Sequence, residues 1–126
     1  MTDDLQAWSY ANWLKVPKMV RQDCLGQLRA DVPADIIAEW KAQHARGEPI
    51  GGDGFHFFGG GMSVRNILRK QITDGELPVV NYYRDANGNS IDPGAPLPPN
   101  GFTVIEARNW DDYYMGAIQE LLETTP

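Results

Sequence analysis

Residues 51–62 read Gly51-Gly52-Asp53-Gly54-Phe55-His56-Phe57-Phe58-Gly59-Gly60-Gly61-Met62. Six glycines in so short a run weaken any regular element, because each loses more backbone freedom on folding than another residue would. Phe55, Phe57 and Phe58 nevertheless call for burial, so the run is not a low-complexity linker. Its composition predicts an ordered loop, pinned by aromatic anchors, that opens directly into a helix from about Ser63 to Ile72. The run divides the chain into an N-terminal helical part and a C-terminal mixed part.

On the N-terminal side, residues 1–8 are expected as a short arm, with Leu5 and Trp8 docking onto the domain. Ser9 is placed to cap a short helix from Tyr10 to Lys15. Pro17 and Pro33 each open a helix at its first position, where a missing N–H costs nothing. In the first of these, Met19, Val20, Cys24, Leu25 and Leu28 make one apolar stripe, while Arg21, Gln22, Gln27 and Arg29 face outward. In the second, Asp35 suits the positive end of the helix dipole. Ile36, Ile37, Trp40 and His44 form its apolar side, and Gly47 with Pro49 is the stop signal.

On the C-terminal side, Val64, Ile67, Leu68 and Ile72 form the buried stripe of the helix after the glycines. Arg65, Asn66, Arg69 and Lys70 share its other side. Asp74-Gly75 turns the chain. Val79 to Arg84 and Phe102 to Ala107 have strand character and are expected to pair, with Asn87-Gly88 as a turn signal and a Pro- and Gly-rich loop at 92–101. Two strands alone are barely stable, so this sheet must lean on helices. Asn109 is a good N-cap for the last helix, with Asp111 and Asp112 in its first turn and Tyr114, Ile118, Leu121 and Leu122 on its core face. Glu120 and Glu123 are expected outside. The expectation is one α+β domain over 1–126. It is mostly helical, with four or five helices and a small antiparallel hairpin, 78–107, inserted before the last helix.

Length and composition agree. A chain of 126 residues, 42% hydrophobic, fits one domain and buries roughly two-thirds of its unfolded surface without metal or disulfide staples. Its formal charge of −6 weighs against general nucleic-acid binding, which needs a broad basic surface. The single cysteine, Cys24, leaves no intramolecular disulfide and reads as a buried structural residue. No signal peptide or apolar membrane span is apparent, and the expected location is the cytoplasm.

Three motifs carry possible chemistry. Gly59, Gly60, Gly61 and Ser63 lead into a helix with Arg65, Asn66 and Arg69. Backbone N–H groups at such a helix start, with arginines one and two turns on, suit a phosphate or carboxylate. The run lacks the Gly-Lys-Ser/Thr ending of a Walker loop, and no strand precedes it as in a dinucleotide fingerprint. The simpler alternative is that the arginines pair with Asp or Glu elsewhere in the fold. His56, beside the glycines, is a candidate general acid or base with Asp111 or Asp112 orienting it, or else a buried histidine with one fixed hydrogen bond. Asp111 and Asp112 sit where the helix dipole stabilises carboxylates, and one of them can reach Arg65 as a partly buried ion pair. With two histidines and one cysteine there is no zinc spacing, and no metal or cofactor is expected.

The string from His56 through Gly60, Met62 and Arg65 to Asn66, followed later by Trp110-Asp111-Asp112-Tyr113-Tyr114, resembles a family of small bacterial and phage domains of unknown function. That family's pattern is His-Phe-Gly-x-Gly-Met-x-Ile-Arg-Asn and then an Asp-Asp pair opening a final helix. The likeness spans 55–72 and 109–122. The chain departs from it by one extra residue after His56 and by the 78–107 insertion. The resemblance carries no activity. It implies that His56, Gly60, Met62, Arg65, Asn66, Asp111 and Asp112 come together in space.

These readings lead to a non-enzymatic binding or regulatory module that takes an anionic small molecule or a protein partner through the glycine loop and the Arg-bearing helix. A small hydrolase or transferase using His56 with Asp111 or Asp112 is the rival. An adaptor of the immunity or phage counter-defence type is the third reading, favoured if Tyr82, Tyr83, Phe102 or Trp110 forms an exposed aromatic patch.

Overall fold

The computed structural model describes residues 2–48, 50, 60–92 and 95–125, with side chains from Gln6 onward and, after the glycines, from Met62 onward. The His56 segment and Gly59 lie outside the described residues. The chain is a mostly helical α+β domain. Its elements are α1 (Thr2–Trp13), α2 (Lys18–Asp31), α3 (Ala34–Ala45), α4 (Gly60–Arg69), a 3-10 turn (Asp74–Glu76), β1 (Val80–Arg84), β2 (Ser90–Ile91), β3 (Thr103–Ala107), a second 3-10 turn (Trp110–Asp112) and α5 (Tyr114–Thr124).

α5 is the centre of the core. Tyr114, Ala117, Ile118, Leu121 and Leu122 are buried at helical spacing, so nearly its whole circumference is covered. α1 lies along it. At the crossing, Gly116 lets the backbones meet: a Cβ there would stand 2.5 Å from the Ser9 carbonyl oxygen. The Gly116 N–H, one of the donors a helix start leaves unpaired, donates to Ser9 Oγ at 3.0 Å. Ser9 is therefore a cap, but for α5 and not for its own helix. α1 begins at Thr2 and runs through Ser9 without a break, so residues 2–8 of the expected arm are helical instead. Tertiary contacts explain the extension. Gln6 Nε2 donates to Met115 O at 3.0 Å and to Gln119 Oε1 at 2.9 Å, and the Trp8 ring tilts against Tyr82 with centroids 5.9 Å apart.

α2 and α3 start behind Pro17 and Pro33, which serve as N-caps with extended ψ and stand one residue before the expected position. α2 buries Cys24, Leu25 and Leu28 as its stripe predicts. Met19 does not join them and is 78% exposed. At 3.6 residues per turn it lies about 140° around the helix from Cys24. Arg21 and Glu120, both expected outside, face each other instead. Arg21 Nε meets Glu120 Oε1 at 3.2 Å, and Trp13 Nε1 donates to the same oxygen at 2.9 Å. The indole needs a buried acceptor, and Glu120 supplies it. α3 ends at Ala45, and just past its cap Arg46 the chain turns away at Gly47, whose φ of 72° only glycine adopts cheaply.

α4 begins at Gly60 and ends at Arg69, a turn earlier at each end than the expected 63–72. It stops where Arg69 reaches forward to Asp74, Nε to Oδ1 at 2.7 Å, folding the chain into the first 3-10 turn. That turn has a full capping box between Thr73 and Glu76. Val64 and Leu68 are buried.

The sheet has three strands in the order β2-β1-β3, all antiparallel. The expected pairing of 79–84 with 102–107 is present, with Tyr82 opposite Ile105. β2 is a third, two-residue strand that the sequence did not announce. It forms because Asp85 Oδ1 accepts from the N–H groups of Asn87 and Asn89, and Gly88 takes a φ of 83°, reversing the chain onto β1. β3 forms the other edge of the sheet.

Candidate functional site

The second 3-10 turn joins all parts of the molecule. Asn109 Oδ1 accepts from the Asp111 N–H at 3.0 Å, so Asn109 caps this 3-10 turn and not the last helix as expected; α5 starts at Tyr114, after Asp111 and Asp112. Trp110 is wholly buried between Trp13 and Tyr113, with its Nε1 donating to Ile72 O at 3.1 Å. Its backbone N–H donates to Asp74 Oδ2 at 3.1 Å. Trp110 is thus removed from any surface aromatic patch.

The two aspartates diverge. Asp111 is half-exposed, and its Oδ1 lies 3.0 Å from Arg65 Nε. Arg65 is itself buried, with Cζ 5.0 Å from the centroid of the Tyr114 ring. The ion pair and the cation–π contact dock α4 on the start of α5. Arg69 is held by Asp74, and its Nη1 donates to Asn66 Oδ1 at 3.1 Å. This pairing holds the Asp74 carboxyl below the usual aspartate range. Ser63 and Met62 are exposed on the same helix. Both candidate arginines therefore have carboxylate partners within the fold. Arg65 and Asp111 form the partly buried ion pair expected of a helix-start carboxylate, whereas Asn66 bonds to Arg69 and Asp112 to Tyr82.

Asp112 is buried, 4% exposed. Its Oδ1 accepts from the Tyr82 hydroxyl of β1. Its Oδ2 has no hydrogen-bond partner among the described residues. Asn12 Nδ2 of α1 donates to its main-chain carbonyl at 3.4 Å. Burial pushes this carboxyl up to about 6. Asp112 thus links sheet, first helix and last helix with a group that resists ionisation. Nearby, burial raises the Tyr113 phenol to about 12, and its hydroxyl donates to Pro78 O. Cys24 is fully buried, with its thiol raised to about 11 chiefly by burial, as an unreactive core cysteine should be. Among the described residues no group of histidine, cysteine and carboxylate side chains is arranged to hold a metal, and no helix is long and apolar enough to cross a membrane.

The exposed apolar surface lies elsewhere. Leu97, Phe102, Val104 and Ile105 are four of the seven large apolar side chains exposed among the described residues. They gather on β3 and the loop before it. Along β3, Thr103, Val104, Ile105 and Glu106 are all exposed, on both faces of the strand. Phe102 meets Tyr83 edge-on with centroids 5.8 Å apart, which extends the apolar surface over β1. Of the aromatic patch considered from sequence, Phe102 belongs to this surface and Tyr82 and Tyr83 are half-buried. Val104 and Ile105 are not among the residues the sequence singles out, because strand character alone does not say which side chains stay exposed. No protein-family model, curated protein or solved structure matches the chain.

Proposed function

We propose that the protein is a non-enzymatic binding module that takes a partner protein by strand addition along β3. The observation behind this reading is the concentration of exposed apolar side chains on both faces of one edge strand. A strand at a sheet edge offers unpaired N–H and C=O groups along its length. Stable proteins blunt such edges with lysine, proline or a bulge, and residues 103–107 contain none of the first two. An added strand would cover Val104 on one face and Ile105 on the other, and its backbone would complete the ladder. The partner segment is extended, apolar at alternate positions and basic. Its charge follows from the chain's −6 and from exposed Glu106, the one charged side chain in β3. The same charge disfavours a second copy as the occupant.

The anionic-ligand reading of Arg65 and Arg69 is weaker, because each arginine is already neutralised by a carboxylate. The hydrolase or transferase reading would have to use Asp111 or Asp112 while the first holds Arg65 and the second holds Tyr82.

A photo-crosslinking amino acid at position 104, with one at exposed Glu39 as control, tests the reading in cells that make the protein. The expected outcome is a defined partner crosslinked from position 104 and not from 39, whose purified form loses binding to Val104→Lys. A partner crosslinked equally from both positions, or one indifferent to Val104→Lys, defeats it.

A further inference from the structure

α2 carries a second stripe beside its buried one. Lys18, Arg21, Leu25 and Arg29 recur along it and look across to Glu120 and Thr124 of α5, enclosing a groove of about 230 Å³. Leu25 is 4% exposed and forms an apolar floor. Acidic residues outnumber basic ones 17 to 11 in the chain, yet here three cations face one carboxylate. Two positive charges are left over.

The cations are held to different degrees. Arg21 gives Nε to Glu120 at 3.2 Å and Nη1 to the carbonyls of Leu14 at 3.2 Å and Val16 at 2.7 Å. These bonds fix the guanidinium, and its Nη2 has no partner among the described residues. Arg29 Nη2 donates to Thr124 Oγ1 at 2.8 Å, which anchors it to the far wall. Lys18 is exposed, and its ammonium makes no bond or ion pair among the described residues. A cation held by three bonds, one anchored by a single bond and one with no bond among the described residues thus line an apolar floor.

We propose that this groove binds a small organic phosphate monoester. The phosphate head carries about two negative charges near neutral pH, which matches the surplus of the lining. Guanidinium forks and an ammonium are the groups that recognise phosphate oxygens. Leu25 receives the carbon body. The groove is smaller than the roughly 300–1,000 Å³ of sites for drug-sized ligands, so the ligand is a short-chain phosphate and not a nucleotide. Lys18, Arg21 and Arg29 belong to none of the motifs singled out in the sequence, because on a helical wheel they read as a solvated face. The groove shares no residue with β3, so this proposal and the strand-addition reading stand or fall separately.

The test is an amide-resolved NMR titration of the full chain with glycerol 3-phosphate and with inorganic phosphate, each at constant ionic strength against chloride. Saturable shifts confined to α2 and the last turns of α5 are expected, with glycerol 3-phosphate the tighter probe. Lys18→Ala and Arg29→Ala change exposed side chains and should leave other amides in place, while each weakens binding by about fivefold or more, the loss of one charge-assisted contact. Three outcomes would overturn the proposal. One is no saturable shift with either probe. Another is equal affinity for the two probes, the mark of an adventitious ion only. The last is binding that survives both substitutions unchanged.

Discussion

Along α5 the side chains of Tyr114, Ala117, Ile118, Leu121 and Leu122 are all buried, while along β3 no side chain is, and Val104 and Ile105 stay 49% and 41% exposed. Both segments are rich in apolar residues, and both lie beside the same 3-10 turn. α5 is surrounded by α1, α2, α3 and α4. β3 touches the domain through β1, and β1 is tied down by buried Val80, by Tyr82 on Asp112 and by the Trp8–Tyr82 contact. The difference separates two uses of apolar surface. In α5 it stabilises the fold, at roughly 25 cal/mol for each Å² removed from water. In β3 about half of it remains in water, and that half adds nothing to the stability of the free protein. Burial therefore accounts for α5 and only in part for β3, and the remainder is what the proposed strand addition would cover.

The strongest way to break the helical side of this comparison is Gly116→Ala. The new methyl group would stand 2.5 Å from Ser9 O and 2.7 Å from Tyr10 Cα, both backbone atoms that cannot swing aside. α1 must move off α5, and the Ser9 cap on the Gly116 N–H goes with it. A loss of about 3 kcal/mol is expected, at the upper end for overpacking. Urea unfolding followed by tryptophan fluorescence measures it. A loss below about 1 kcal/mol would mean that the two helices are not packed backbone to backbone.

The pH dependence of stability addresses the joint between the two regions. The Asp112 carboxyl is raised to about 6 in the folded protein, above its ordinary value of 3.8. The folded state therefore holds this proton more tightly than the unfolded chain does. Its contribution is fully present at low pH and is lost as pH rises through about 6. Between pH 7 and about pH 4.5 wild type should gain about 2 kcal/mol from this group. Below about pH 4 the sign turns, because Asp74, held down by Arg69, begins to lose its pairing. Asp112→Asn should lack the gain between pH 7 and 4.5. Equal pH slopes for the two proteins would remove Asp112 as a source of the effect.

These two sites also show what was readable from residue order alone. The α5 stripe, the Cys24–Leu25–Leu28 and Val64–Leu68 parts of the α2 and α4 stripes and the β1–β3 pairing follow from spacing and local propensity and are present, whereas Met19 is exposed and Asn109 caps the 3-10 turn before α5. Ser9 was recognised as a capping residue, but its target lies 107 residues away in α5, beyond any local rule. Arg21 and Glu120 read as surface residues because polarity is judged one residue at a time, whereas their pairing satisfies the Trp13 indole in the interior. The Arg65–Asp111 pair was legible, since a helix-start carboxylate and a helix-side arginine are natural partners. Asp112 was not separable from Asp111. Which of two adjacent aspartates turns inward depends on where Tyr82 arrives, and the sheet decides that. The exposure of Val104 and Ile105 was hidden for a similar reason: a short apolar strand looks the same whether its outer neighbour is present or absent.

Tyr82→Phe tests the joint with a smaller change. It removes only the hydroxyl that donates to Asp112 Oδ1 and leaves the ring beside Trp8. With Oδ2 already lacking a partner, the carboxyl would then have no side-chain donor among the described residues. A loss of about 1–2 kcal/mol is expected at neutral pH, shrinking as Asp112 protonates. Amide exchange should quicken in β1 and β3 before it does in α5, because the sheet is the part being released. Uniform quickening across both regions would show that sheet and helices open as one unit.

The smallest effect is expected at the edge itself, and it is the most telling for the comparison. Val104 is 49% exposed, and its neighbours on β3 are exposed too. Val104→Lys can lay its aliphatic stem over the half-covered site with the ammonium in water, and valine has no side-chain hydrogen bond to lose. It should change the stability of the free protein by no more than about 0.5 kcal/mol, the usual range for a surface substitution. The change places a charge on an edge strand, the device natural sheets use against strand addition. A variant that unfolds like wild type but no longer captures the partner crosslinked at position 104 would show that the edge serves binding alone. A loss of 2 kcal/mol or more, about what burial of a whole valine side chain contributes, would place Val104 in the core instead, and the contrast between α5 and β3 would then be one of degree.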